Sequence, residues 1–380
     1  MDFALSEFQQ LLKEQAERFV ERDYGFEQRR AIVAAEPGYS RAHWQTFAEL
    51  GWLGLPFAED AGGYGGTVAD LAILFEVFGR GLVVEPYLPT VLGGLAVARA
   101  GTPAQKDAIL PGVIAGTHKL ALASTETGGR PGALQVATKA RKVTGGWQLS
   151  GHKAVVLHGA SADTLVVSAR SHGAHDAPGG IGLFLVPGNA YGVTRRGCAT
   201  IDGLRAAEVT LNRVELGEDA LLGEPTGGHA LLDELLDIAA IAGCAEALGC
   251  MGALIDRTAE YLRTREQFGR KIGDFQVLQH ALVDMYMAAE QARSLTLAAA
   301  LRFGARGGES TAERQRLVAA AQVFCADAGR LVGQTAVQLH GGIGVTDELD
   351  VAHYFKRLTL LPFWFADNGQ PLDRFQTAAA

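Results

Sequence analysis

The chain has 380 residues, 48% hydrophobic and 20% charged, enough to bury more than one core and to suit two or three domains. A formal charge of -8 and a pI near 5.7 exclude a protein whose main partner is nucleic acid or an anionic membrane, while leaving room for a local basic pocket that takes a small anionic cofactor. The four cysteines, Cys198, Cys244, Cys250 and Cys325, form no CxxC pair, which argues against a zinc site or disulfide framework and for a reducing, cytoplasmic setting.

Met1 to Tyr24 mixes acidic and basic residues and lacks an apolar core of the kind a leader needs, so an unprocessed, soluble protein without a membrane segment is expected. Ser6 and Gln9 form a capping box ahead of an amphipathic helix whose apolar face carries Phe8, Leu11, Leu12, Phe19 and Val20. Ser40 precedes a second helical stretch, and Thr67 with Asp70 precedes a third. Thr102, Pro103 and Gln105 supply a cap, a first-turn proline and a capping-box partner for a fourth. Residues 1–117 therefore read as an N-terminal helical domain. Inside it, the stretch GLPFAEDAGGYGGT places Gly62, Gly63, Gly65 and Gly66 where a helix cannot continue.

From His118 the pattern turns to short runs rich in β-branched residues, punctuated by glycine, with no helix between them. Residues 118–225 read as an antiparallel β-barrel or sandwich. Helix returns afterwards, over about 229–268, 275–306 and 310–340, with a short piece after Asp347, so 226–380 reads as a C-terminal helical bundle of four-helix type. The fold class is α+β, in the order helical domain, β domain, helical bundle.

No GxGxxG after a strand, P-loop, HExxH or GxSxG occurs. Ser150 and Lys153 match SxxK by spacing alone, within a strand rather than at a helix opening. His172 and His175 stand beside Asp176 in a polar loop and read as solvated, so no metal site is expected. Two stretches remain. Arg263 to His280 either solvates a helix end or offers arginines and an aromatic ring to a planar anion. Gln338 to Gly344, QLHGGIG, ends a long helix; Gly341 and Gly342 either cap it or let a ligand's phosphate or ribose approach bare backbone.

Taken together, GWLGLPFAEDAGGYGGTVADLAILFEVFGR (51–80), REQFGRKIGDFQ (265–276) and VQLHGGIG (337–344) resemble, in order and across nearly the whole chain, the signatures of the acyl-CoA dehydrogenases. The resemblance implies an oligomer with FAD between subunits, an acyl-CoA substrate and an electron-transfer-flavoprotein-type acceptor. Arg265, Gln267 and Phe268 would reach the pyrophosphate and adenosine side across a subunit boundary. Gln338, Leu339, Gly341 and Gly342 would hold the adenosine diphosphate half, and the strand around Ser124 and Thr125 would cover the flavin ring.

The family's chemistry has a carboxylate take the substrate's α-proton while the β-hydride passes to flavin N5, which needs a positioned base. Here the usual positions carry Ala366, in the stretch Phe365-Ala366-Asp367-Asn368, and Ala239 on the first long bundle helix. No catalytic residue is assigned. Asp367 is one residue beyond the usual place and short. Asp237 lies about 200° round the helix from Ala239, and Glu246 lies roughly 10 Å further along it. Val155-Val156-Leu157 also replaces the Trp-x-Thr stretch that usually touches the flavin. These departures resemble the small or non-catalytic subunits of heteromeric acyl-CoA dehydrogenases that act on pimeloyl-CoA or steroid side-chain thioesters. The expectation is a family subunit in a homo- or hetero-oligomer. Its alternatives are a flavin-free, acyl-CoA-binding scaffold and a flavin oxidase or monooxygenase of the same fold.

Overall fold

The computed structural model describes residues 5–127, 135–174, 177, 179–303, 311–364 and 370–378. Six helices come first: α1 (Glu7–Asp23), α2 (Phe26–Ala34), α3 (Arg41–Glu49), α4 (Val68–Gly81), α5 (Tyr87–Ala100) and α6 (Pro103–Ile114). The capping boxes of α1, α4 and α6 form as expected: Ser6, Thr67 and Thr102 each accept the N–H of the residue three on, which returns a side-chain bond. Each cap contributes about 1 kcal/mol. Helix α5 has no such signal, because Tyr87 to Val97 is buried on every side and shows no amphipathic period to read. Between α3 and α4 the glycine-rich stretch folds as two 3-10 turns, Trp52–Gly54 and Glu59–Ala61. At Gly63 a Cβ would stand 2.2 Å from the Phe57 carbonyl oxygen, so only glycine lets this loop close on itself.

Eight strands follow in one sheet: β1 (Leu120–Ala123), β2 (Lys139–Val143), β3 (Gly146–Leu157), β4 (Thr164–Arg170), β5 (Ile181–Pro187), β6 (Val193–Ala199), β7 (Arg205–Gly217) and β8 (Leu221–Leu222). Their order is β6-β7-β3-β2-β4-β5-β8, with β1 added on β4. The expected antiparallel pairing holds along most of the sheet, with one departure: β1 and β2 both run parallel to β4. The reason is connectivity: β1 enters from the helical segment rather than by a hairpin, so no tight turn sets its direction. Residues 146–157 form the single long strand β3, and the exposed strand β6 is polar and has no apolar alternation to read. Trp147, Leu149, Leu165, Phe184 and Val209 lead the sheet's core.

Helix α7 (Gly228–Thr264) then runs for 37 residues. A two-stranded hairpin, β9 (Glu266–Gln267) and β10 (Arg270–Lys271), separates it from α8 (Gln276–Arg302), and α9 (Thr311–His340), α10 (Asp350–Leu360) and α11 (Gln370–Ala378) complete the chain. The first bundle helix thus stops four residues short of the expected end, because the hairpin begins there. Among the described residues α7 is the one helix long and apolar enough to cross a membrane, and 83% of its most apolar window is buried within the protein.

Packing groups the chain into two compact units. The first comprises Met1–Ala31, Thr67–Val83 and Ala240–Ala380; the second comprises Ile32–Gly66 and Val84–Ala239. In the first unit α4 and α7 cross at backbone contact: a Cβ on Gly79 would lie 2.0 Å from the Glu246 carbonyl oxygen, and one on Gly249 would lie 1.9 Å from that of Glu76. The Cys250 thiol closes the crossing with a bond to the Gly79 carbonyl at 3.3 Å. This fixes the rotation of α7 and so decides where its side chains point.

Candidate functional site

In the first unit, the chain leaves α7 by a tight two-residue turn. Phe268 (φ 57°) and Gly269 (φ 75°) both adopt left-handed backbone, as a hairpin matched to strand twist requires. The turn lifts Phe268 away from the bundle, leaving its side chain 89% exposed. Its ring meets Phe275 edge-on at 6.1 Å, and the Arg270 guanidinium lies 4.0 Å from the Phe275 ring centroid. Arg265 and Gln267 are also exposed. Among the described residues no carboxylate pairs with the Arg265 guanidinium, so its charge is available to a ligand.

At the end of α9, Gln338 is exposed, Leu339 half-buried, and Gly341 and Gly342 open to solvent. Gly341 has φ 66°, and a Cβ at either glycine would meet no atom within 4 Å, so bare backbone faces outward. His340, which sequence reasoning did not single out, organises this turn. Its Nδ1–H donates to the Ala336 carbonyl at 2.8 Å, and its ring stacks on Tyr261 with centroids 4.5 Å apart. The stack ties the last turn of α7 to the last turn of α9. Burial pushes the His340 pKa below its ordinary value of 6.5, against the opposing pull of the Ala336 carbonyl and Asp350. The neutral ring is thus the resting form at neutral pH.

Thr125 belongs to the second unit. Its carbonyl accepts the Ala154 N–H at 2.9 Å, and its neighbour Ser124 is buried. Val155, in the stretch that departs from the usual pattern, sits in a β-bulge between Lys153 and Val156 with φ 50°, while Val156 and Leu157 are buried. Ser150 and Lys153 do not form a reactive pair: Ser150 Oγ accepts the Arg213 N–H, and Lys153 is engaged elsewhere. Of the HxxH residues, His172 hydrogen-bonds Ser171 at 3.1 Å, and His175 with Asp176 lies outside the described residues.

The candidate bases resolve as follows. Ala239 and Asp237 are both wholly buried on α7. Asp367 and Ala366 lie outside the described residues. Glu246 is neither a free base nor a solvated helix carboxylate: it is buried against the wholly buried Arg357 of α10, whose Nη1 donates to its Oε1. Arg357 Nη1 also reaches the Val83 carbonyl at 3.3 Å, and its guanidinium lies 5.6 Å from the Trp364 ring centroid. A carboxylate committed to a buried guanidinium in this way is poorly placed to take a proton from carbon.

Comparison with known proteins agrees with this architecture. Family models for the N-terminal, middle and C-terminal domains of acyl-CoA dehydrogenases match residues 6–117, 121–214 and 226–365. The chain belongs to the acyl-CoA dehydrogenase family. It is 28% identical to the probable acyl-CoA dehydrogenase YngJ of Bacillus subtilis over 367 residues, 95% of each chain. Among solved structures, the ChsE4-ChsE5 complex from Mycobacterium tuberculosis superposes with a TM-score of 0.89 at 28% identity, covering 100% of this chain and 99% of that one. The Tcur3481-Tcur3483 steroid ACAD superposes with a TM-score of 0.87 at 32% identity, covering 98% of both. Membership brings FAD as cofactor and oxidation of an acyl-CoA thioester as the reaction.

The residues of the first unit fit the diphosphate half of FAD. An unneutralised guanidinium, an exposed aromatic ring and a glycine pair with open backbone are the donor set that a pyrophosphate and an adenosine ask for. When bound, FAD supplies the acceptor for the substrate's hydride.

Proposed function

We propose that this chain is the subunit without a catalytic base in a heteromeric, FAD-dependent acyl-CoA dehydrogenase. It contributes Arg265, Gln267, Phe268, Gln338, Leu339, Gly341 and Gly342 to an FAD site at a subunit boundary, with Thr125 at the flavin ring. A partner chain of the same family supplies the carboxylate that removes the α-proton, and electrons leave to an electron-transfer-flavoprotein-type acceptor. The observation that carries the reading is the Glu246–Arg357 pair: the α7 carboxylate one face-repeat from Ala239 is locked in the bundle, and Ala239 has no proton-accepting group. The two-chain assembly named for the ChsE4-ChsE5 relative supports the heteromer, and the steroid relative supports a bulky acyl group.

The test is purification of the chain alone and together with the product of its genomic neighbour. Flavin per chain and bleaching of flavin absorbance are then followed on adding pimeloyl-CoA or a steroid side-chain CoA thioester. The proposal expects bleaching only in the co-purified sample. Full bleaching by the lone chain would sink it.

A further inference from the structure

Strand β3 carries two departures from ordinary strand chemistry side by side. Lys153 is wholly buried, 0% exposed, and its ammonium has three acceptors: Glu126 Oε1 at 2.5 Å, Ser168 Oγ at 3.0 Å and the Ser124 carbonyl at 3.4 Å. All three protons of the ammonium have a partner. Two residues on, Val155 holds a left-handed φ of 50° with its side chain 49% exposed. A β-branched residue there carries strain of about 1–3 kcal/mol, which persists only where the surroundings enforce it.

The enforcing contacts converge on Glu126. Its Oε2 accepts the Ala137 N–H at 2.8 Å, and its Oε1 accepts the Thr138 N–H at 3.0 Å. Between Lys153 and Val155, the Ala154 N–H donates to Thr125. Three backbone segments, 124–126, 137–138 and 153–155, are therefore held to one ion pair between a wholly buried lysine and a half-buried glutamate. Burial pulls the Lys153 pKa down and Glu126 pulls it back up, leaving it lowered to about 8, so the ammonium is charged at neutral pH. Apolar replacement of a buried ion pair is often neutral or stabilising, so stability does not explain why charge is placed here. Placement of backbone does.

We propose that Lys153 is a positioning residue: with Glu126 it clasps residues 124–126, 137–138 and the strained Val155 bulge into a rigid rim for the flavin. The proposal rests on the reading of Thr125 as a flavin contact given above.

The test compares the wild-type full chain with Lys153→Met and Glu126→Gln, each alone and with the partner chain. Three quantities are followed: the FAD dissociation constant, the visible flavin spectrum, and amide exchange at residues 124–126, 137 and 138. The clasp predicts amide exchange at Ala137 and Thr138 faster by about tenfold in Glu126→Gln, and an FAD dissociation constant raised by about tenfold with an altered flavin spectrum in Lys153→Met. If Lys153→Met does not fold, Glu126→Gln decides, with the same direction expected in all three readouts. A variant that loses thermal stability yet keeps the wild-type FAD affinity and spectrum overturns the positioning role. A wild-type chain that takes up no FAD in either setting overturns the flavin reading instead. The clasp then stands or falls on the exchange rates, and unchanged exchange in Glu126→Gln sinks it.

Discussion

At the scale of single residues, the buried pair of Glu246 and Arg357 makes the clearest energetic demand. Arg357→Met leaves a carboxylate inside the bundle without its cation, which should cost about 3–5 kcal/mol in urea denaturation. The double variant Glu246→Met/Arg357→Met should recover most of that loss, because neither charge of the pair is left buried without the other. Equal losses in the single and double variants would show that the pair contributes little. The sequence could not announce this pair, since its members stand 111 residues apart and no local spacing relates them. The absence of a carboxylate at position 239, by contrast, was legible from the chain alone. Val155 makes the opposite demand. Val155→Gly removes about 1–3 kcal/mol of strain at an entropy cost of about 1 kcal/mol, so stability should hold or rise. A fall of more than about 1 kcal/mol would mean that the left-handed turn is relaxed as it stands.

At the scale of elements, the hairpin after α7 and the glycine turn after α9 are surface devices, so function and stability should separate there. Phe268→Ala removes an almost fully exposed ring and should change folding stability by no more than about 0.5 kcal/mol, while flavin retained through gel filtration falls. Retained flavin equal to wild type would remove Phe268 from the site. The Tyr261–His340 stack adds a pH dependence whose sign follows from burial. The folded pKa of His340 lies below the unfolded 6.5, so its contribution is complete above that value and is lost as pH falls through the folded one. Melting temperature followed from about pH 7 to 5 should therefore drop further for the wild type than for His340→Phe, which keeps a ring and cannot titrate. The helices that begin with capping boxes were legible because a cap is local chemistry. Helix α5 and the hairpin were not, the first because burial on all sides erases periodicity, the second because two strands of two residues each carry no pattern.

At the scale of the molecule, α8 leaves Val283, Tyr286 and Met287 exposed at helical spacings of three and four, a stripe that an isolated chain would not usually show to water. Introducing glutamate at Val283 and Met287 together should shift the assembly to smaller species in light scattering, with little effect on the melting of the lone chain. The order of helical segment, β-sheet and bundle was readable because each segment keeps one hydrophobic period for long enough to register. How β1 and β2 pair with β4 was not, because register depends on partners distant in sequence. Ala239 has no exposed surface, so a glutamate grafted there would enter a filled interior at about 1–3 kcal/mol for its bulk and, desolvated, would sit protonated at neutral pH. Regaining a base would take several coordinated replacements around α7. Under the proposed heteromer, the division of labour between chains would therefore be hard to reverse by single mutational steps.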